Sequence, residues 1–159
     1  MAYSIEEQLD QDIHWYFRDS YNHLCVALSA GSLLPETIIE RDSANNEFHT
    51  IVYDLPEVYE IARNESMIDR IQGISVENLE LYFSNFERLA RKGFYVFDKF
   101  HINNANDPLY FLVAYPIYDR YINTFPIDKK LLPNIPRIKG RISSRYKNPF
   151  NLIRYFDGI

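Results

Sequence analysis

Glycine and cysteine are scarce in this chain, and each shortage removes a class of chemistry. Five glycines in 159 residues never form Gly-x-Gly, so no glycine-rich phosphate loop can be read. No Gly-x-Ser-x-Gly elbow occurs, which removes that nucleophile signature. Ser29 and Ser32 flank Ala30-Gly31 and read as polar groups at a helix end. A single cysteine, Cys25, excludes an intrachain disulfide and a thiolate zinc cluster. It stands among Leu24, Val26 and Ala27, the setting of a buried apolar thiol. His14, His23, His49 and His101 are scattered, and no pair has the His-x-x-x-His spacing of a helical metal site. No cofactor or metal is expected. The longest apolar run, Leu109 to Tyr118, is about half of what a membrane-spanning helix needs. Met1 to Glu7 is acidic and lacks the apolar core of a signal peptide. These shortages read as a cytoplasmic protein with no membrane segment.

What is abundant is aromatic and unevenly charged. Aromatics reach 16%, with 13 Tyr and 11 Phe, among 47% hydrophobic residues. That is ample for a packed core and argues against a disordered chain. Tyrosine joins a large apolar ring to a polar tip, which suits half-buried strands and interfaces alike. Residues 1–128 hold 9 Lys+Arg against 21 Asp+Glu, a formal charge of −12; residues 129–159 hold 8 against Asp157 alone, +7. The length fits one domain, 1–159, made of an acidic body and a basic C-terminal segment.

Ser4-Ile5-Glu6-Glu7 is a capping box. Ile5, Leu9, Ile13, Tyr16 or Phe17, Tyr21, Leu24 and Leu28 then recur at helical spacing, and Gly31 supplies a stop. One long helix over 5–30 is expected. Asp42 to Asn46 reads as a loop and 48–53 as a strand. Pro56 fits the first turn of a short helix through Ala62. Leu79, Tyr82 or Phe83, Phe86 and Leu89 predict an amphipathic helix over 76–92, closed by Lys92 and Gly93. Phe94 to His101 and Leu109 to Tyr115 read as strands, and the Asn-rich, Pro-containing segment 102–108 predicts an antiparallel hairpin, covered on both faces. A short helix before Pro126 follows. The expected architecture is α+β: a long N-terminal helix and a second amphipathic helix packed on a small antiparallel sheet, with a basic extended C-terminal segment.

In that segment Arg137, Lys139, Arg141, Arg145 and Lys147 occupy odd positions, while Ile138, Ile142 and Tyr146 fall on even ones. A strand would put all five cations on one face. This predicts an extended segment, bent at Gly140, at a sheet edge where its charges oppose edge-to-edge pairing. The face reads three ways: a solvated edge neutralised by the acidic body, a dock for an acidic protein, or a nucleic-acid surface with Tyr146, Phe150, Tyr155 and Phe156 as stacking platforms.

Arg18-Asp19-Ser20-Tyr21-Asn22-His23 is an arginine, a polar residue and a histidine five positions after the arginine. It resembles the Arg-polar-x-x-x-His signature of HEPN-type ribonucleases. The resemblance implies an all-helical bundle, a dimer, and metal-independent RNA cleavage with His23 as acid/base and Arg18 holding the phosphate. The structural alternative is helix-face pairing of Asp10, His14 and Arg18, and of Asp19 with His23, at four-residue spacing.

With no catalytic constellation beyond those six residues, the leading expectation is a non-enzymatic interaction or regulatory protein. A small subunit, an inhibitor and an immunity- or antitoxin-like binder all fit. It would meet a protein partner, or a second copy of itself, through Arg137, Lys139, Arg141, Arg145, Lys147 and Tyr146. The HEPN-like ribonuclease through Arg18 and His23 is the alternative, and a nucleic-acid-binding module through the basic segment is a third.

Overall fold

The computed structural model describes residues 3–66, 76–101, 104–117, 125–141 and 148–156. Along the chain run α1 (Ile5–Asp10), β1 (His14–Arg18), β2 (Leu24–Leu28), α2 (Glu36–Ile39), α3 (Asp42–Tyr53), β3 (Glu60–Arg63), α4 (Val76–Arg91), β4 (Tyr95–Lys99), β5 (Leu109–Ile117) and β6 (Phe150–Asn151). Short 3-10 turns cover Lys129–Asn134 and Ile153–Tyr155.

The six strands form one mixed sheet in the order β1-β2-β4-β5-β3, with β6 also on β5. All pairs are antiparallel except β2 with β4. A parallel pair needs a long crossover, and the chain between Leu28 and Tyr95 supplies it with α2, α3 and α4. The predicted hairpin 94–115 is therefore real and central. Its sheet is mixed and larger than the small antiparallel one expected.

Alternation along the strands separates two cores. Tyr16, Leu24, Val26, Val96, Phe111 and Val113 face α3 and α4, where Phe48, Val52, Phe83, Phe86 and Ala90 meet them. Trp15, Phe17, Cys25, Ala27, Phe97 and Leu112 face the other way, onto Leu34, Ile38, Ile138, Leu152 and Phe156. Both faces of the sheet are covered, and the C-terminal segment supplies part of the second cover. Burial also pushes the Cys25 thiol well up.

The N-terminal helix is short. Its capping box forms, with Glu7 N donating to Ser4 Oγ at 3.1 Å and Ser4 N to Glu7 Oε2 at 3.2 Å. The helix nevertheless ends at Asp10. From Ile13 on, residues 13, 15 and 17 enter one core while Tyr16 enters the other, so period 2 wins over the apparent helical spacing. Expected interactions of Asp10 with His14 and of His14 with Arg18 on one helix face are thereby removed, as is the all-helical bundle implied by the HEPN resemblance.

Residues 48–53, read as a strand, lie in α3, which also takes up the expected loop 42–46. Asp42, Asn45, Phe48 and Val52 are its buried positions, at spacings of three and four. The helix expected over 56–62 gives way to β3, whose residues pair with 114–117 of β5. The helix over 76–92 is present as α4. The short helix expected before Pro126 falls largely outside the described residues.

Candidate functional site: a basic edge around Arg18

Strand β1 is an edge strand, and its outer side is closed by side chain and tail. Asn45, buried on α3, accepts from Tyr16 N at 3.0 Å and donates Nδ2 to His14 O at 3.0 Å. Further along, Arg18 N donates to Pro136 O at 2.8 Å and Ile138 N donates to Arg18 O at 2.8 Å, a parallel bridge between Arg18 and Arg137. Beyond the strand, Ser20 N donates to Gly140 O at 2.9 Å and Ser20 Oγ to the same oxygen at 2.7 Å. The start of the basic segment thus lies extended along the sheet edge. Main-chain pairing seals that edge, which would otherwise be a template for association.

This contact unites two sets of residues that the sequence left apart. Arg18 and His23 flank the β1–β2 turn; Arg137, Lys139 and Arg141 run beside it. All three tail cations are exposed. The Arg141 guanidinium sits 5.1 Å over the Tyr21 ring, a cation–π contact. Arg145, Tyr146 and Lys147 lie outside the described residues, and so does the alternation beyond Arg141.

The turn is built on Asp19. Its carboxylate is fully buried. It accepts from Tyr21 N at 2.8 Å and His23 N at 2.9 Å through Oδ1, and holds His23 Nδ1 at 2.7 Å through Oδ2. Asn22 takes φ 63°, which a small polar side chain tolerates. The expected Asp19–His23 pair exists, across a turn instead of along a helix. The His23 ring lies 5.5 Å from Tyr95, and Tyr95 stacks on Tyr115 at 5.9 Å.

On the other side of Arg18 opens a cleft of about 370 Å³ lined by Arg18, Arg41, Arg137, Glu40, Pro133 and Phe156, among others. Arg18 is anchored: Nε donates to Leu132 O at 3.0 Å and Ile135 O at 3.1 Å, and Nη1 donates to Asn22 Oδ1 at 2.8 Å. These acceptors are neutral. Desolvation by burial, with Arg137 and Arg41 nearby, holds the Arg18 guanidinium below its usual range. Among the described residues, neither Arg18, Arg41 nor Arg137 forms an ion pair, whereas Arg63 pairs with Glu80 and Glu87, Arg88 with Glu57, and Arg91 with Glu87. Sequence reading missed Arg41. It lies between α2 and α3, and only tertiary packing brings it to Arg18.

Among the described residues, no group of three His, Cys, Asp or Glu side chains is placed to hold a metal ion. No helix among them is long and apolar enough to cross a membrane. The arrangement can present guanidinium donors to an anion, and it holds one histidine against a buried carboxylate. Comparison of the chain with protein-family models, with curated proteins and with solved structures finds no match in any of the three.

Proposed function

We propose that this is a non-enzymatic interaction protein that receives an acidic segment of a protein partner on the basic edge around Arg18. A regulatory subunit, an inhibitor and an antitoxin-like binder all share that chemistry. One observation carries the reading: Arg18, Arg41 and Arg137 line one cleft with the single carboxylate of Glu40, and among the described residues none of these three arginines is ion-paired, whereas Arg63, Arg88 and Arg91 are. Like charges brought together repel unless an anion joins them. Among the described residues, the contacts of the tail with β1 and the turn after it are hydrogen bonds to backbone groups and one cation–ring contact, none of them to a carboxylate, which favours docking over neutralisation by the acidic body.

The test is capture of partners from the native host by the intact chain and by a charge-reversed variant, Arg41→Glu with Arg137→Glu and Arg141→Glu. These three side chains are exposed, so the variant is expected to fold, which circular dichroism checks. Partners recovered by the native chain are lost with the variant and elute at raised salt. Equal recovery by both proteins would sink the reading.

The ribonuclease alternative draws support from one feature. The buried Asp19 carboxylate fixes His23 Nδ1 at 2.7 Å, and a carboxylate-oriented imidazole is a recurrent acid/base device. His23→Ala should abolish RNA cleavage if this reading holds. Cleavage that is absent from the native protein, or unchanged in the variant, dismisses it. A nucleic-acid-binding role for the edge predicts binding of single-stranded RNA or DNA at low salt that weakens as salt is raised.

A further inference from the structure

We infer that the cleft between Arg18, Arg41 and Arg137 is a site for a phosphomonoester dianion, carried on a phosphorylated side chain of the protein partner. This rests on the docking reading above and specifies the group that is docked.

Charge favours phosphate over carboxylate. Three guanidiniums and the Glu40 carboxylate line the cleft, which leaves two positive charges. A carboxylate would cancel one of them. A phosphomonoester carries about −1.5 to −2 at neutral pH and offers three strong acceptor oxygens, and so matches the excess. Guanidinium is also the side chain whose planar fork fits phosphate oxygens in pairs.

Preorganisation points the same way. Two backbone carbonyls and Asn22 Oδ1 hold Arg18 through Nε and Nη1. Nη2 makes no hydrogen bond to the described residues. Fixing the guanidinium before the anion arrives removes part of the ordering cost of binding. Arg41 comes from the α2–α3 junction and Arg137 from the tail that is paired to β1. The three donors therefore approach from separate elements, which suits a tetrahedral group better than a planar one. The volume, about 370 Å³, exceeds what a phosphoryl group fills. Pro133, Ile135, Pro136 and Phe156 supply apolar wall for the carbon chain that bears it.

The experiment is a fluorescence-anisotropy titration of the full chain with a labelled phosphoserine peptide of otherwise neutral sequence. Three further probes are run beside it: the unphosphorylated peptide, the peptide with glutamate at the serine position, and a short single-stranded oligonucleotide with a 5′ phosphate. The phosphopeptide should bind at least tenfold more tightly than the other three. Arg41→Gln with Arg137→Gln should weaken it at least tenfold. Arg88→Gln, whose charge is paired with Glu57 outside the cleft, should change it less than twofold. Circular dichroism confirms that each variant is folded. Equal affinity for phosphorylated and unphosphorylated peptides overturns the inference, as does equal weakening by Arg88→Gln. Tighter binding of the oligonucleotide overturns it in favour of a nucleic-acid end. If partner capture still depends on Arg41, Arg137 and Arg141 while the phosphopeptide fails to bind, the docking reading stands and the phosphate site is removed.

Discussion

Arg18 and Arg137, two like charges, are register partners in the parallel bridge that closes the outer edge of the sheet. Like charges paired directly across strands are unfavourable. Here the pairing is sustained by two main-chain hydrogen bonds of 2.8 Å, from Arg18 N to Pro136 O and from Ile138 N to Arg18 O, and by burial of Ile138 behind it. The edge is structurally sealed, and neither arginine is ion-paired among the described residues. That combination is what motivates the proposal that the edge receives an anion.

The tail belongs to the fold, so its apolar residues should matter more to stability than its cations. Ile138, 2% exposed, packs into the second core. Ile138→Ala should cost about 2–4 kcal/mol in urea unfolding, while exposed Lys139→Ala should change stability by less than about 0.5 kcal/mol. Similar losses for both would mean that the segment is not packed. Deleting residues 129–159 would also remove Leu152 and Phe156 from the core, so charge substitution, not truncation, is the right test of partner binding.

Asp98 is buried under α4, with Tyr82 Oη donating to Oδ2 at 2.8 Å and Lys99 N to Oδ1 at 2.8 Å. Desolvation pushes its carboxyl up to about 7. A folded value above the unfolded one means that the folded protein holds this proton longer. The favourable contribution is fully present below about pH 4 and is lost as pH rises through 7. Asp98→Asn removes the cost of ionisation, of the order of a few kcal/mol. Thermal melts should show the variant to be more stable than the native protein at pH 8 and no more stable at pH 4. A constant offset between the two pH values would contradict this.

Asp19 organises the β1–β2 turn from a fully buried position. Asp19→Ala would strand Tyr21 N, His23 N and His23 Nδ1. These bonds are part-buried, and a hydrogen bond to a charged group contributes about 1.5–3 kcal/mol, so a loss of at least about 2 kcal/mol is expected in chemical denaturation. A change below about 0.5 kcal/mol would show that the turn does not depend on this carboxylate.

Two glycines separate conformational strain from crowding. Gly140, at φ +91°, has nothing within 4 Å of where a Cβ would sit; Gly93, at φ +105°, would place one 2.4 Å from Pro126 Cγ. Gly140→Ala should cost only the left-handed penalty, about 1–2 kcal/mol. Gly93→Ala adds a steric clash and should cost clearly more, or fail to fold. Equal melting temperatures for the two variants would refute the distinction.

Short-range sequence signals were reliable where one neighbour decides the outcome. The Ser4/Glu7 capping box, the stripe of α4 with its Lys92-Gly93 stop, and the aromatic hairpin on either side of its Asn-rich turn are all present. They rest on local hydrogen bonds and on one dominant period. Residues 13–28 are apolar at both periods, because their sheet is buried on both faces, so helical spacing could be counted where a strand forms. In α3, Asn45 reads as a loop residue in isolation; its amide bonds His14 O and Tyr16 N of a strand 29 to 31 positions away.

The same division runs through the candidate site. Sequence by itself determined that the last 31 residues carry a formal +7, and that Arg137, Lys139 and Arg141 alternate with Ile138 and Gly140. It also isolated Arg18 and His23. Tertiary structure decided that Arg137 lies beside Arg18 and that Arg41 joins them. The reason is physical: charge and spacing are properties of neighbouring residues, whereas convergence depends on which strand is left at the edge of the sheet. Only the completed strand order leaves β1 there, with an unpaired side for the tail to seal.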